Sequence, residues 1–116
     1  MRLGWLAATR NSWNGLVHAV RHERPARQEA IVLVAALLLV PFLADSMRHA
    51  ILLLGAVVLT LVVELLNVAI ERLADRITLE RDEAVRIAKD VGSAAVTLTV
   101  VLALALWLEA AWSALA

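Results

Sequence analysis

The chain has no cysteine and no tyrosine, only four glycines and two prolines, and no excess of either charge. Each shortage excludes something. Without cysteine there is no disulfide, no zinc-thiolate centre and no thiol nucleophile. With Gly4, Gly15, Gly55 and Gly92 as the only glycines, neither a P-loop nor a G-x-G-x-x-G turn can be built, so any nucleotide needs another phosphate cradle. Lys plus Arg and Asp plus Glu both total 11, which gives no bulk charge for nucleic acid. An aromatic-interleaved basic stripe and a Cys/His cluster are also missing, which removes nucleic acid as a partner and the metal-finger readings. His18, His22 and His49 have no spacing that suggests metal ligation.

What remains is apolar. Of 116 residues, 62% are hydrophobic and the mean hydropathy is +0.80, more than a soluble domain of this length needs. Three apolar runs organise a single domain. Residues 30–44 are uncharged, residues 50–70 are interrupted by Glu64 and Asn67, and residues 91–116 carry only Glu109 as a charge. A span takes ~17–25 residues, so the first run is extended back through Gln28 and Glu29, with Arg27 snorkelling to the headgroups. Pro41 falls near its end, where a lost backbone donor matters little. The prediction is a surface helix over 1–26 and spans over 28–46, 48–70 (with a polar extension to 78) and 90–114. Leu6, Trp13, Leu16, Val17 and Val20 recur at helical spacing and give the surface helix its apolar face. Residues 3–8 are too short an apolar stretch for a signal peptide.

Cation placement sets the expected orientation. Arg2, Arg10, Arg21, Arg24 and Arg27 precede the first span, and Arg72, Arg76, Arg81, Arg86 and Lys89 lie between the second and third. Arg48 alone lies in the short turn around Asp45 and Ser46. The positive-inside rule puts the N-terminus in the cytoplasm and the C-terminus outside, with Phe42, Trp107 and Trp112 toward the outer interface.

The stretch Glu64-Leu-Leu-Asn67-Val-Ala-Ile-Glu71-Arg-Leu-Ala-Asp75-Arg76 follows fourteen uncharged residues (50–63). Glu64, Asn67, Glu71 and Asp75 fall within ~80° of one helical face. Carboxylates on an apolar helix are expensive, so they face a protein interior or a wet cavity and mark function. On the third span Arg86, Asp90, Ser93 and Thr97 share a face with Lys89 beside it, and Gly92-Ser93-Ala94-Ala95 lets a neighbouring helix approach. Together with Glu23, Arg27, Gln28 and Glu29, these residues form a polar site at the cytoplasmic interface. It holds carboxylates for a divalent cation and cations for phosphate oxygens. Structural pairing with arginine is the plain alternative for any one carboxylate, and for Arg72, Arg76 and Arg81 a role as topology determinants is the simpler account.

The run Glu64-Leu65-Leu66-Asn67-Val68-Ala69-Ile70-Glu71, followed by Asp75-Arg76, resembles the signature of the prokaryotic diacylglycerol kinases. Ala88-Lys89-Asp90-Val91-Gly92-Ser93-Ala94-Ala95 resembles that family's second block. Ser12-Trp13-Asn14-Gly15-Leu16, Glu23 and Arg27-Gln28-Glu29 resemble its N-terminal region, so the likeness covers essentially the whole chain. The resemblance implies an all-α homotrimer in the bacterial inner membrane, with an amphipathic surface helix and three transmembrane helices per protomer and active sites shared between protomers. It implies transfer of the γ-phosphate of MgATP to diacylglycerol, giving phosphatidic acid. By position Glu23 and Glu71 match the Mg²⁺-binding glutamates and Glu64 the catalytic proton acceptor. Asn11, Glu80, Arg81, Asp82, Lys89 and Asp90, with the two metal glutamates, match the nucleotide site. Ser12, Trp13, Arg27, Gln28, Glu29, Asn67 and Ser93, with Glu64, match the lipid site.

The residues add a depth argument. Glu64 lies ~10 Å deeper along the helix than Glu71, so it meets a lipid hydroxyl where Glu71 meets aqueous metal and triphosphate. Glu71 as the base is the rival assignment. Two departures concern the N-terminal helix: Gly4 falls where many relatives have arginine, with Arg2 and Arg10 out of phase, and Asn11 falls where tyrosine is frequent. The alternatives are an undecaprenol kinase, a small ion-conducting bundle and a non-catalytic membrane adaptor. Conduction would need polar residues across the span, yet residues 50–63 offer only Thr60.

Overall fold

The computed structural model describes residues 4–116, and these form four helices in chain order: α1 (Gly4–His22), α2 (Arg24–Leu43), α3 (Met47–Ile77) and α4 (Glu83–Leu115). The all-α expectation holds. Residues 1–3 of the predicted surface helix, Arg2 among them, lie outside the described residues. Three helices, α2, α3 and α4, are long and apolar enough to cross a membrane.

Each break has a local cause. Pro25 offers no N–H to the carbonyl of Arg21, so the helix ladder cannot run on from α1 into α2. Glu23 takes an extended backbone (φ −116°, ψ 112°) and makes the corner. The orphaned Arg21 carbonyl accepts a hydrogen bond from Arg27 Nη1 at 3.3 Å. At the next turn Ser46 caps α3, its hydroxyl accepting from the His49 amide at 3.0 Å. Asp82 caps α4 in the same way, taking the Val85 amide at 3.0 Å.

Helix α3 is the hub. In its most apolar stretch 44% of residues are buried, against 17% for α2 and 6% for α4. Both outer helices pack on it and touch each other little, so the chain is a slab 22 Å thick rather than a closed bundle. The small core lies at one end, where Val40, Leu53 and Ala110 meet. Trp107 packs there, its Nε1 donating to the Leu53 carbonyl at 3.0 Å. The indole ties α4 to α3, while Phe42 and Trp112 remain outward and exposed. Helix α1 buries only Ala19 and leaves Trp5, Leu6 and Trp13 exposed, the pattern of a helix lying on an interface.

Candidate active site

One face of α3 carries a run of pocket-lining and buried polar residues in order. Val57 and Thr60 line an apolar cavity of about 300 Å³ between α2, α3 and α4, with Glu29 and Trp107 also on its wall. Glu64 and Asn67 follow, both buried. Val68, Glu71 and Asp75 then line a second pocket of about 380 Å³, closed by His22, Glu23 and Arg72. All seven α3 positions fall within ~100° of the helix wheel, the stripe expected from the 3.6-residue period.

The buried hydroxyl of Thr60 is satisfied by its own helix, donating to the Ala56 carbonyl at 2.9 Å. Glu64 is different. It is 6% exposed and takes no hydrogen bond from any described residue, and the neighbouring charges acting on it are those of Glu29 and Glu71. Asn67 Nδ2 donates to Glu71 Oε1 at 3.4 Å, while Asn67 Oδ1 is buried without a partner. That oxygen lies over Gly92 of α4, where an added Cβ would overlap it. Any larger residue at this position would have to displace the Asn67 amide.

Around the second pocket most charges are already paired. Arg72 Nε donates to Glu23 Oε1 at 2.7 Å, tying the α1–α2 corner to α3. Lys89 Nζ meets Asp75 Oδ1 at 2.6 Å, joining α4 to α3. That bond and the charge of Asp75 hold the Lys89 ammonium, in the polar stretch ahead of the apolar run of α4, above the ordinary lysine range. Arg86 bonds Asp90 at 2.8 Å and also Glu83. Among these carboxylates Glu71 alone has no cation within ion-pair distance in the described residues, only the Asn67 amide.

Of the predicted site residues, Glu23 and Glu71 line this pocket, Asn67 and Lys89 hydrogen-bond its lining residues Glu71 and Asp75, and Glu29 lines the other cavity. Asp90 stays one helical turn from Arg86. Asn11, Ser12 and Trp13 lie exposed on α1, with the Ser12 hydroxyl bonded to the Ala8 carbonyl at 2.8 Å. Arg27 and Gln28 are exposed near the corner, Ser93 faces outward, and Glu80 and Arg81 sit in the turn that Asp82 caps. Within one chain these do not line either pocket. The pocket also holds His22, Val68 and Arg72, which sequence reasoning had not assigned to the site, beside Asp75 of the carboxylate stripe. His22 and Arg72 carried no signal beyond adjacency to Glu23 and Glu71.

Fold and site together define a small helical membrane protein with a charged pocket at the polar end of its spans. A family model for prokaryotic diacylglycerol kinase matches residues 10–110. The chain is 44% identical over 99 residues to a diacylglycerol kinase of Pseudomonas aeruginosa, covering 83% of this chain and 80% of that protein. It is 38% identical over 102 residues to the diacylglycerol kinase of Escherichia coli K12 (88% and 84% covered) and 35% identical over 100 residues to that of Haemophilus influenzae (86% and 85%). The chain belongs to the prokaryotic diacylglycerol kinase family, and so to the bacterial membrane lipid kinases.

Proposed function

We propose that the chain moves the γ-phosphoryl group of ATP onto the free hydroxyl of diacylglycerol, giving phosphatidic acid and ADP, at the cytoplasmic boundary of the inner membrane. The observation that carries this is the order along α3: apolar cavity, buried Glu64, then the carboxylate pocket. A lipid whose tail lies against Val57 and Thr60 presents its hydroxyl at Glu64, facing a triphosphate that enters past Glu71. The hydroxyl oxygen then bonds to the γ-phosphorus, the bond to the ADP oxygen breaks, and the hydroxyl proton passes to Glu64. The rival base, Glu71, is shallower and already accepts the Asn67 amide, which suits it better to holding a metal.

Mg²⁺ takes one or two carboxylates, phosphate oxygens and water rather than a full protein cage. Glu71, without a cation partner, and Glu23 across the same pocket fit that demand, and no cluster of three or more acidic or imidazole ligands exists among the described residues. Bound there, the ion would neutralise charge on the transferring phosphate. Lys89 and Asp90 belong to the nucleotide side, as do Asn11 and the Glu80-Arg81-Asp82 turn. Ser12, Trp13, Arg27, Gln28, Glu29, Asn67 and Ser93 belong to the lipid side. Assembly as a homotrimer with shared sites is supported by the slab shape and by the exposed polar face of Asp90, Ser93 and Thr97, which a neighbouring copy would cover.

The test is phosphate transfer from labelled MgATP in mixed micelles, with diacylglycerol and undecaprenol offered side by side. Labelled phosphatidic acid, lost in Glu71→Gln, is the expected result. Label in undecaprenyl phosphate alone would replace the acceptor, and no transfer to either lipid from folded protein would overturn the proposal.

A further inference from the structure

Arg72 follows Glu71 directly, so it points ~100° away from the carboxylate stripe of α3. It nevertheless lines the same pocket, because its side chain reaches the α1–α2 corner and holds Glu23 through Nε alone. The two terminal nitrogens of the guanidinium make no hydrogen bond to any described residue, and the side chain is 55% exposed. A cation thus sits on one of the two carboxylates assigned to the metal, while the other, Glu71, has none. A divalent ion arriving at Glu23 and the guanidinium already on its Oε1 repel each other, so each weakens the hold of the other. The incoming triphosphate brings several negative oxygens to the same pocket, and a guanidinium fork matches phosphate geometry better than any other side chain.

We propose that Arg72 is an exchange residue of the nucleotide site. Before nucleotide binds it occupies Glu23, keeping the corner against α3 and weakening the hold of the site on a lone divalent ion. When the metal–nucleotide arrives, Glu23 passes to the metal and Arg72 turns its terminal nitrogens to the phosphates. The carboxylate is never without a counter-charge, and the metal is accepted together with its nucleotide rather than ahead of it. This rests on the nucleotide reading given above.

The experiment uses the full chain in detergent micelles, with Mn²⁺ as the paramagnetic probe and a non-hydrolysable ATP analogue. In Arg72→Gln, Mn²⁺ binding without nucleotide should tighten several-fold, while affinity for the analogue at saturating Mn²⁺ should fall on the order of tenfold, the loss expected for a charge-assisted hydrogen bond. In turnover, KM for MgATP should rise with kcat nearly unchanged, and Arg72→Lys should restore part of the affinity. If either binding constant is unchanged in Arg72→Gln while Glu71→Gln abolishes Mn²⁺ binding, the exchange is wrong and the metal site stands. If Glu71→Gln also binds Mn²⁺ and analogue as the native chain does, the site reading and the exchange both fall.

Discussion

Glu64 and Glu71 are separated by two helical turns and by their surroundings: one buried with no partner among the described residues, the other at the mouth of a charged pocket. Substitution should split them kinetically. Glu64→Gln should lower kcat on the order of 10²–10⁴-fold while leaving nucleotide binding intact, as loss of a general base does. Titration with a nucleotide analogue beside a steady-state assay would check both halves. Gly92 yields a second prediction at this scale. A methyl group there meets Asn67 Oδ1, so Gly92→Ala should cost about 1–3 kcal/mol of stability, read as a lowered Tm in detergent. The carboxylate stripe was legible in the sequence because a 3.6-residue period fixes which residues share a face. Partners of the charges were not. The pairings Glu23–Arg72 and Lys89–Asp75 cross between helices, and no local rule of spacing encodes them.

At the level of the elements, the corner at Glu23 depends on one missing hydrogen. Pro25→Ala would return an N–H to the Arg21 carbonyl and let α1 run into α2, swinging Glu23 away from Arg72 and Glu71. Transfer should fall on the order of 10²-fold for a displacement of this kind, with helix content unchanged by circular dichroism. The helices themselves were legible from the apolar runs. Trp107 was not, because hydropathy treats a terminal tryptophan as an interface anchor. Its hydrogen bond to a carbonyl of another helix is a tertiary fact.

For the whole molecule, the absence of cysteine makes orientation in the membrane directly measurable. Single variants Ser46→Cys and Glu80→Cys place one thiol at each end of the spans. An impermeant maleimide added outside intact cells should label the first, and the second should react only once the membrane is opened. The reverse pattern would contradict the positive-inside assignment. In the slab of a single chain Asn11, Trp13 and Ser93, expected in the site from the resemblance, are exposed.

The corner joining the surface helix to the first span has a mechanical meaning. Its apex is Glu23, proposed above as a metal ligand, and one arm is a helix whose Trp5 and Trp13 are exposed. Tilting that arm would turn the carboxylate at the apex, and the Arg72–Glu23 bond across the corner opposes that motion.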